Sequence, residues 1–172
     1  MALRRVVMAT EPSMKKKSRE VEKFDDKLWV LLDDMQQTMD QFEGVGLAAP
    51  QVGILRRVIV VEDDDKRIEL VNPVVTSFRG KQREIEGCLS SPGEWGYVTR
   101  PEEIRVSAFN RYGKRFTMDA EGVCAITICH EIDHLNGILF TEIADEMVDD
   151  EEELEKAKRA RNRKRRRRKK AV

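Results

Sequence analysis

The chain has 172 residues, and its 40% hydrophobic content is typical of one globular domain, although the 37% charged content is high. No apolar run approaches the length of a membrane span, and the N-terminus lacks the hydrophobic segment of a secretory signal, so we expect a cytoplasmic protein. Its three cysteines are scattered, which favours reduced thiols over a disulfide framework.

The first predicted element is an amphipathic helix. Apolar residues recur at helical spacing over positions 24–42, and Asp25 or Asp26 can cap its start. The stretch GVGLAAPQVG, residues 44–53, follows it and matches the letters of the dinucleotide-binding fingerprint. That fingerprint needs a strand before it and a helix after it, whereas here a helix precedes and Pro50 prevents helix continuation. We interpret the stretch as backbone that another group approaches closely, with Gln51 as an amide donor nearby.

Six short β-rich runs come next and predict strands. They are RVIVVE, IELVNP, REIEGCL, GYVT, IRVSAFN and KRFTMDA. Residues 110–113 form a turn that joins the last two into a hairpin. Strands flanked by helices in this order indicate an α+β fold.

Both histidines of the chain lie in the stretch ICHEIDHLNG. His130 and His134 are four residues apart, and on a helix, predicted here over residues 123–136, they project from one face. Two imidazoles so placed can bind one cation, and Glu131 would then be free to hold a water molecule. This is the spacing of the histidine-glutamate-x-x-histidine metal site.

The neighbours of the histidines argue against a solvated helix face. Val123, Ile126 and Thr127 share the face of the two imidazoles, which therefore continue an apolar stripe. A lone buried histidine is more often a hydrogen-bonded core residue than a ligand, but a pair at ligand spacing is hard to satisfy without a metal.

Two histidines leave a catalytic metal site short of a third protein ligand. A downstream glutamate could supply it, as in thermolysin-like proteases, and the acidic run after Glu142 offers several candidates. Cys88, in EGCLS at a predicted strand end, is the other candidate, although most free cysteines are small buried hydrophobes. Spacing alone leaves both possibilities open.

The zero net charge conceals a basic C-terminal tail. Residues 1–155 hold 32 acidic and 20 basic residues, a net charge of −12, while residues 156–172 hold 12 basic residues and no acid. The order of charges in DDEEELEKAKRAR suits a helix dipole, and the basic run after it lacks apolar periodicity. We expect an exposed charged helix that continues into a frayed helix or disordered arm.

Three motifs in chain order, GVGLAAPQ, EGCLS and HEIDH, closely resemble the peptide deformylase family, as does RPEEIRV between the last two. The likeness covers residues 1–145, which we take as the catalytic domain, and leaves residues 146–172 as a charged C-terminal helix and partly disordered basic tail. It implies antiparallel sheets packed around a central metal-binding helix. The implied reaction is hydrolysis of the N-formyl group from the formyl-methionine of nascent polypeptides, with release of formate.

The resemblance also implies roles for individual residues. The implied metal ligands are Cys88, His130 and His134. The implied catalytic groups are Glu131 as acid/base, with Gln51 and the backbone amide of Leu89 as oxyanion donors. The implied substrate contacts are the backbone of Gly46 and a methionine pocket that includes Val45 and Ile126. Arg100 and Glu86 resemble a supporting ion pair behind the thiolate ligand.

The resemblance points to Fe²⁺ as the cofactor, with Zn²⁺ or Ni²⁺ able to occupy the site. We expect a monomer that acts on N-formylmethionyl peptides, has no membrane partner and contacts ribosomal RNA through its basic tail. Ser91, where an aliphatic residue is usual, and the N-terminal segment depart from the family. A zinc endopeptidase and a metal-stabilised nucleic-acid-binding protein are the alternative functions.

Overall fold

The computed structural model describes residues 2–171. Its α-helices are α1 (Asp26–Gln41), α2 (Gly122–Leu135), α3 (Phe140–Ile143) and α4 (Glu151–Ala171). Its strands are β1 (Gly46–Ala48), β2 (Val58–Asp63), β3 (Lys66–Arg79), β4 (Gln82–Cys88), β5 (Ser91–Arg100), β6 (Glu103–Phe109), β7 (Arg115–Glu121) and β8 (Glu146–Met147). Single turns of 3-10 helix span Pro12–Lys15 and Ala49–Val52.

The strands form two antiparallel sheets. One has the order β1-β2-β3-β6-β7 and the other the order β4-β5-β8. The predicted combination of helices with antiparallel sheets is therefore confirmed. Strand β1 lies at an edge of the first sheet and β4 at an edge of the second, and both edges matter for the site described below.

Helices α1 and α2 cover opposite faces of the five-stranded sheet, and the alternation of side chains along β2 explains why. Ile59 and Val61 pack in the same cluster as Ile128 of α2. Val58 and Val60 point to the other face, into the cluster that contains Leu32 of α1. Because successive strand residues face opposite sides, a strand buried on both faces is apolar throughout.

Several boundaries differ from the sequence-based expectations. Strand β3 extends well beyond the predicted IELVNP run, and its pairing with β6 is irregular between Val71 and Val74, on either side of Pro73. A proline lacks the N–H that a sheet ladder requires, so an interrupted register is the expected result. Strands β1 and β8 had not been predicted. Helix α1 is capped by Asp25, whose carboxylate accepts from the Leu28 amide at 3.2 Å.

The C-terminal helix α4 lies against β4. The ammonium group of Lys158 sits 4.3 Å from the centre of the Trp95 ring, and Lys164 forms an ion pair with Glu84. The segment expected to be frayed or disordered is helical through Ala171 in the structure. Within residues 2–171, no helix is both long and apolar enough to cross a membrane.

Candidate active site

Three side chains of types that bind metals converge where β4 ends against α2. The ligand atoms of Cys88, His130 and His134 all lie within 4.8 Å of one another. The sulfur of Cys88 is 3.2 Å from Nε2 of His134. Glu142, where the competing acidic run begins, is instead paired with Lys15 and capped onto α3. Of the two candidates for a third ligand, Cys88 is the one that lies beside the histidines.

A buried carboxylate orients the first imidazole. Oε2 of Glu86 is 2.8 Å from Nδ1 of His130, which leaves Nε2 of that ring directed toward Cys88. Two bonds from Arg100, at 2.7 and 2.9 Å, hold the same carboxylate, and Arg100 also donates to Asp133 at 2.6 Å. Burial alone would raise the pKa of Glu86, but the hydrogen bonds from Arg100 and His130 lower it to about 2. Glu86 is therefore ionised at neutral pH, and its carboxylate contacts His130, whereas the sequence predicted an ion pair behind the thiolate.

The donor set fits a divalent transition metal. One thiolate and two imidazoles are the nitrogen and sulfur donors that Zn²⁺, Fe²⁺ and Ni²⁺ accept, and three protein ligands leave an open position, as catalytic sites require. Among the described residues, the buried atoms Nδ1 of His134 and Oε2 of Glu131 have no hydrogen-bond partner. The unpaired Glu131 oxygen is expected where a water beside an ion completes the site, whereas His134 faces the cluster with Nε2, so an ion there would leave its Nδ1 unchanged.

Glu131 stands next to these ligands but outside their cluster. Its side chain is only 4% exposed, and burial raises its pKa to about 7. A carboxyl group with this pKa can both accept and donate a proton near neutral pH. A Cβ atom added at Gly46 would lie 2.6 Å from Oε1 of Glu131, so only glycine fits opposite this carboxylate.

The carboxamide of Gln51 is fixed in one orientation by the turn that carries it. Oε1 accepts from the Ala48 amide at 2.8 Å, while Nε2 donates to Ser90 Oγ at 3.2 Å and to Cys88 Sγ at 3.4 Å. The amide nitrogen therefore faces the metal-binding cluster. Leu89 follows Cys88 directly and is half-buried, which places its backbone beside the same cluster.

A cavity of about 550 Å³ opens onto this cluster. Eight of the nine residues expected to act as metal ligands, catalytic groups or substrate contacts line it: Val45, Gly46, Gln51, Cys88, Leu89, Ile126, His130 and Glu131. The ninth, His134, is 1% exposed and lies behind the lining. Val45 and Ile126 contribute apolar surface, which suits a hydrophobic side chain.

The backbone of β4 faces the cavity along an open edge. Trp95 and Tyr97 of β5 direct their carbonyl oxygens to β8, accepting from Val148 and Asp145 at 2.8 Å each. In an antiparallel ladder, the N–H and C=O of one residue point the same way, so these two residues do not bond to β4. Their partners there, Gly87 and Ile85, must therefore turn their own N–H and C=O groups away from β5.

Strand β1 offers a second open edge across the cavity. The Val45 carbonyl accepts from Glu62 of β2 at 2.8 Å, so the next residue, Gly46, directs its N–H and C=O away from that sheet. Gly46 and Gly87 both line the cavity. An extended peptide placed between them could pair with a strand on each side.

Trp95 and Arg161 are among the cavity residues that had not been singled out as site residues in the sequence. Trp95 covers Gly87, where an added side-chain atom would come within 2.7 Å of the indole ring. Arg161 reaches the cavity from α4. Gly87, directly before Cys88, was a sequence signal for Trp95, because glycine permits the close approach of another side chain. Nothing distinguished Arg161 from the other basic residues of the tail.

Comparison with known proteins identifies the family. Residues 3–150 match the pattern of the family described as polypeptide deformylase. The chain belongs to the polypeptide deformylase family. It is 48% identical over 152 residues to a peptide deformylase of Caldicellulosiruptor bescii, covering 88% of this chain and 92% of the relative. It is 50% identical over 143 residues to peptide deformylase 1 of Bacillus subtilis, covering 82% and 89%.

Solved deformylase structures share the fold. The structure of peptide deformylase from Thermotoga maritima superposes with a TM-score of 0.83 at 33% identity, covering 84% of this chain and 99% of that one. Peptide deformylases are hydrolases that remove the N-formyl group from nascent peptides, and this chain is such an enzyme. The resemblance drawn from the motifs is confirmed, and the endopeptidase and nucleic-acid-binding alternatives are not supported.

Proposed function

We propose that the chain is a metal-dependent deformylase whose metal is held by Cys88, His130 and His134. The observation that carries the proposal is the approach of these three donors within 4.8 Å of one another, beside Glu131 in a cavity. Fe²⁺ is the proposed physiological ion, with Zn²⁺ or Ni²⁺ able to replace it, because thiolate and imidazole ligands suit all three. The bound ion supplies Lewis-acid activation of the formyl carbonyl and of water.

Glu131 is the proposed proton carrier. As a base it takes the proton of the attacking water, and as an acid it delivers that proton to the amine that leaves from methionine. The raised pKa of about 7 supports both roles, because a carboxylate with an ordinary pKa of about 4 would be a weaker base and would almost never hold a proton to donate at neutral pH. Its position next to His130 keeps it beside the ion without making it a ligand.

Two donors are proposed to stabilise the charge that develops on the formyl oxygen. Nε2 of Gln51 faces the metal-binding cluster, and the backbone N–H of Leu89 follows Cys88 directly. Fixed donors of this kind cost no reorganisation during the reaction, and loss of one typically lowers kcat by about 10²- to 10³-fold. The hydrogen bond that the Ala48 amide donates to Oε1 of Gln51 supplies the necessary rigidity.

The substrate is proposed to bind as an extended strand between β1 and β4. The backbone groups of Gly46 and Gly87 would pair with the peptide backbone, while Val45 and Ile126 would contact the methionine side chain. The formyl group then lies at the Cys88 end of β4, and the peptide runs away from it antiparallel to β4. Residues 1–145 would suffice for this chemistry.

We also propose that the enzyme is a cytoplasmic monomer that reaches its substrates at the ribosome. Residues 156–172 carry 12 basic residues and no acid, which suits attraction to ribosomal RNA by release of counterions. The acidic remainder of the chain would be repelled by the same surface, so the tail would provide the contact.

Formate release from formyl-Met-Ala by anaerobically prepared protein tests this function. We expect activity in the wild type. Glu131→Gln should retain the metal yet lose about 10⁴-fold or more in kcat, because an amide cannot accept the proton and the same carboxylate would serve both proton steps. The exposed residue Glu22 gives a matched control as Glu22→Gln. A Glu131→Gln variant with native metal content and less than a tenfold loss would exclude Glu131 from the reaction.

A further inference from the structure

Helix α4 places a cationic side chain at one end of the substrate cavity. Arg161 is the one lysine or arginine among the described residues that line this cavity. Its Nη1 donates a hydrogen bond to the carbonyl oxygen of Ile85 at 3.2 Å. Ile85 pairs with Tyr97, whose carbonyl points away from β4 toward β8. The Ile85 carbonyl therefore points away from β5, into the open edge of β4.

Other contacts of α4 hold Arg161 in this position. One turn before it, Lys158 stacks on Trp95, whose ring also lines the cavity. One turn after it, Lys164 pairs with Glu84 of β4. Because side chains three and four residues apart lie on one helix face, these contacts and the Arg161 bond form one continuous attachment to the paired strands β4 and β5.

The register of the substrate follows from the alternation of strand backbone groups, given the function proposed above. If the formyl oxygen accepts from the Leu89 amide, antiparallel pairing sets the second peptide residue opposite Gly87. The fourth peptide residue then lies opposite Ile85, and its N–H would point at the Ile85 carbonyl. That carbonyl is the acceptor to which Arg161 donates.

We propose that Arg161 is a specificity-determining residue that ends the peptide-binding edge of β4. By occupying the Ile85 carbonyl, it limits pairing with β4 to the second peptide residue and turns the peptide away from the strand at the fourth. The chemistry at the metal is unaffected, because Gly87 and Leu89 remain available. The C-terminal helix therefore determines how many residues of a nascent chain pair with β4.

A backbone-modified peptide tests this role directly. The substrates are formyl-Met-Ala-Ser-Ala and the same peptide with an N-methyl group on the amide of its fourth residue, which removes the N–H. In the wild type, we expect less than a twofold difference in kcat/KM between them. In Arg161→Ala, the freed carbonyl can accept that N–H, so the unmethylated peptide should be favoured by about two- to tenfold, the worth of one hydrogen bond.

The difference should appear in KM with kcat unchanged, because the new bond is the same in the ground state and the transition state. Arg163→Ala is the matched control, since Arg163 is exposed on the same helix and should keep the wild-type ratio. An Arg161→Ala variant with the wild-type ratio for the two peptides would overturn the proposal, as would a wild type that already discriminates fivefold or more. Failure of the wild type to release formate from formyl-Met-Ala would instead refute the proposed function.

Discussion

Substitution of Gly46 by alanine tests how the catalytic carboxylate is confined. The added Cβ would lie 2.6 Å from Oε1 of Glu131 and 2.6 Å from Cγ2 of Thr127, whereas ordinary contacts begin near 3.4 Å. Each neighbour must therefore move by about 0.8 Å, and a displacement of about 1 Å in a reacting group can cost about 10²-fold in rate. Overpacking of this kind also typically lowers the free energy of unfolding by about 1–3 kcal/mol.

We expect Gly46→Ala to retain its metal and to lose about 100-fold in kcat/KM for formyl-Met-Ala, measured by formate release. Adding Thr127→Ser removes one of the two overlaps, so the double variant should regain stability but not activity. Gly44→Ala is the matched control, because its Cβ would meet only the side-chain tip of Leu89 at 3.1 Å and Met39 at 3.4 Å. Activity of Gly46→Ala within tenfold of the wild type, with native metal content, would refute the argument.

Two further changes test the metal site and the tail. Cys88→Ala should purify with little metal, because two imidazoles alone bind a divalent ion far more weakly than three ligands do. Full metal content and normal formate release in this variant would show that Cys88 is not the third ligand and would favour a residue of the acidic run after Glu142. Removal of residues 156–172 should weaken binding to ribosomes while hydrolysis of formyl-Met-Ala continues, and log K for the intact protein should fall with log salt by about 0.7–0.9 per phosphate contact. Equal affinity and salt dependence of the two forms would contradict RNA docking by the tail.

The catalytic helix was predictable because local sequence determines it. The spacing of His130 and His134 and the apolar face they share predict a helix over residues 123–136, and the structure has it at Gly122–Leu135. The proposed third ligand was not predictable from spacing, since Cys88 is 42 residues before His130 and only the contact of β4 with α2 brings them together. The family resemblance supplied what the local pattern lacked.

The substrate edges depended on contacts that no local pattern encodes. Strand β1 is three residues of glycine, leucine and alanine, a composition with little intrinsic preference for a strand, and its pairing with β2 makes it one. Arg161 belongs to a run of basic residues without apolar periodicity, which predicts solvent exposure. Its contact with Ile85 exists because α4 packs on β4.

The two open strand edges at Gly46 and Gly87 have a consequence for the proteins on which the enzyme acts. Main-chain groups are the same in every polypeptide, so a cleft that binds them discriminates little among the side chains that follow methionine. One enzyme can then process the whole range of newly made chains, and the residues after the initiator methionine can diverge in each protein without loss of formyl removal. The proposed recognition through the backbone would thus leave the N-terminal sequences of the cell's proteins free to evolve for other purposes.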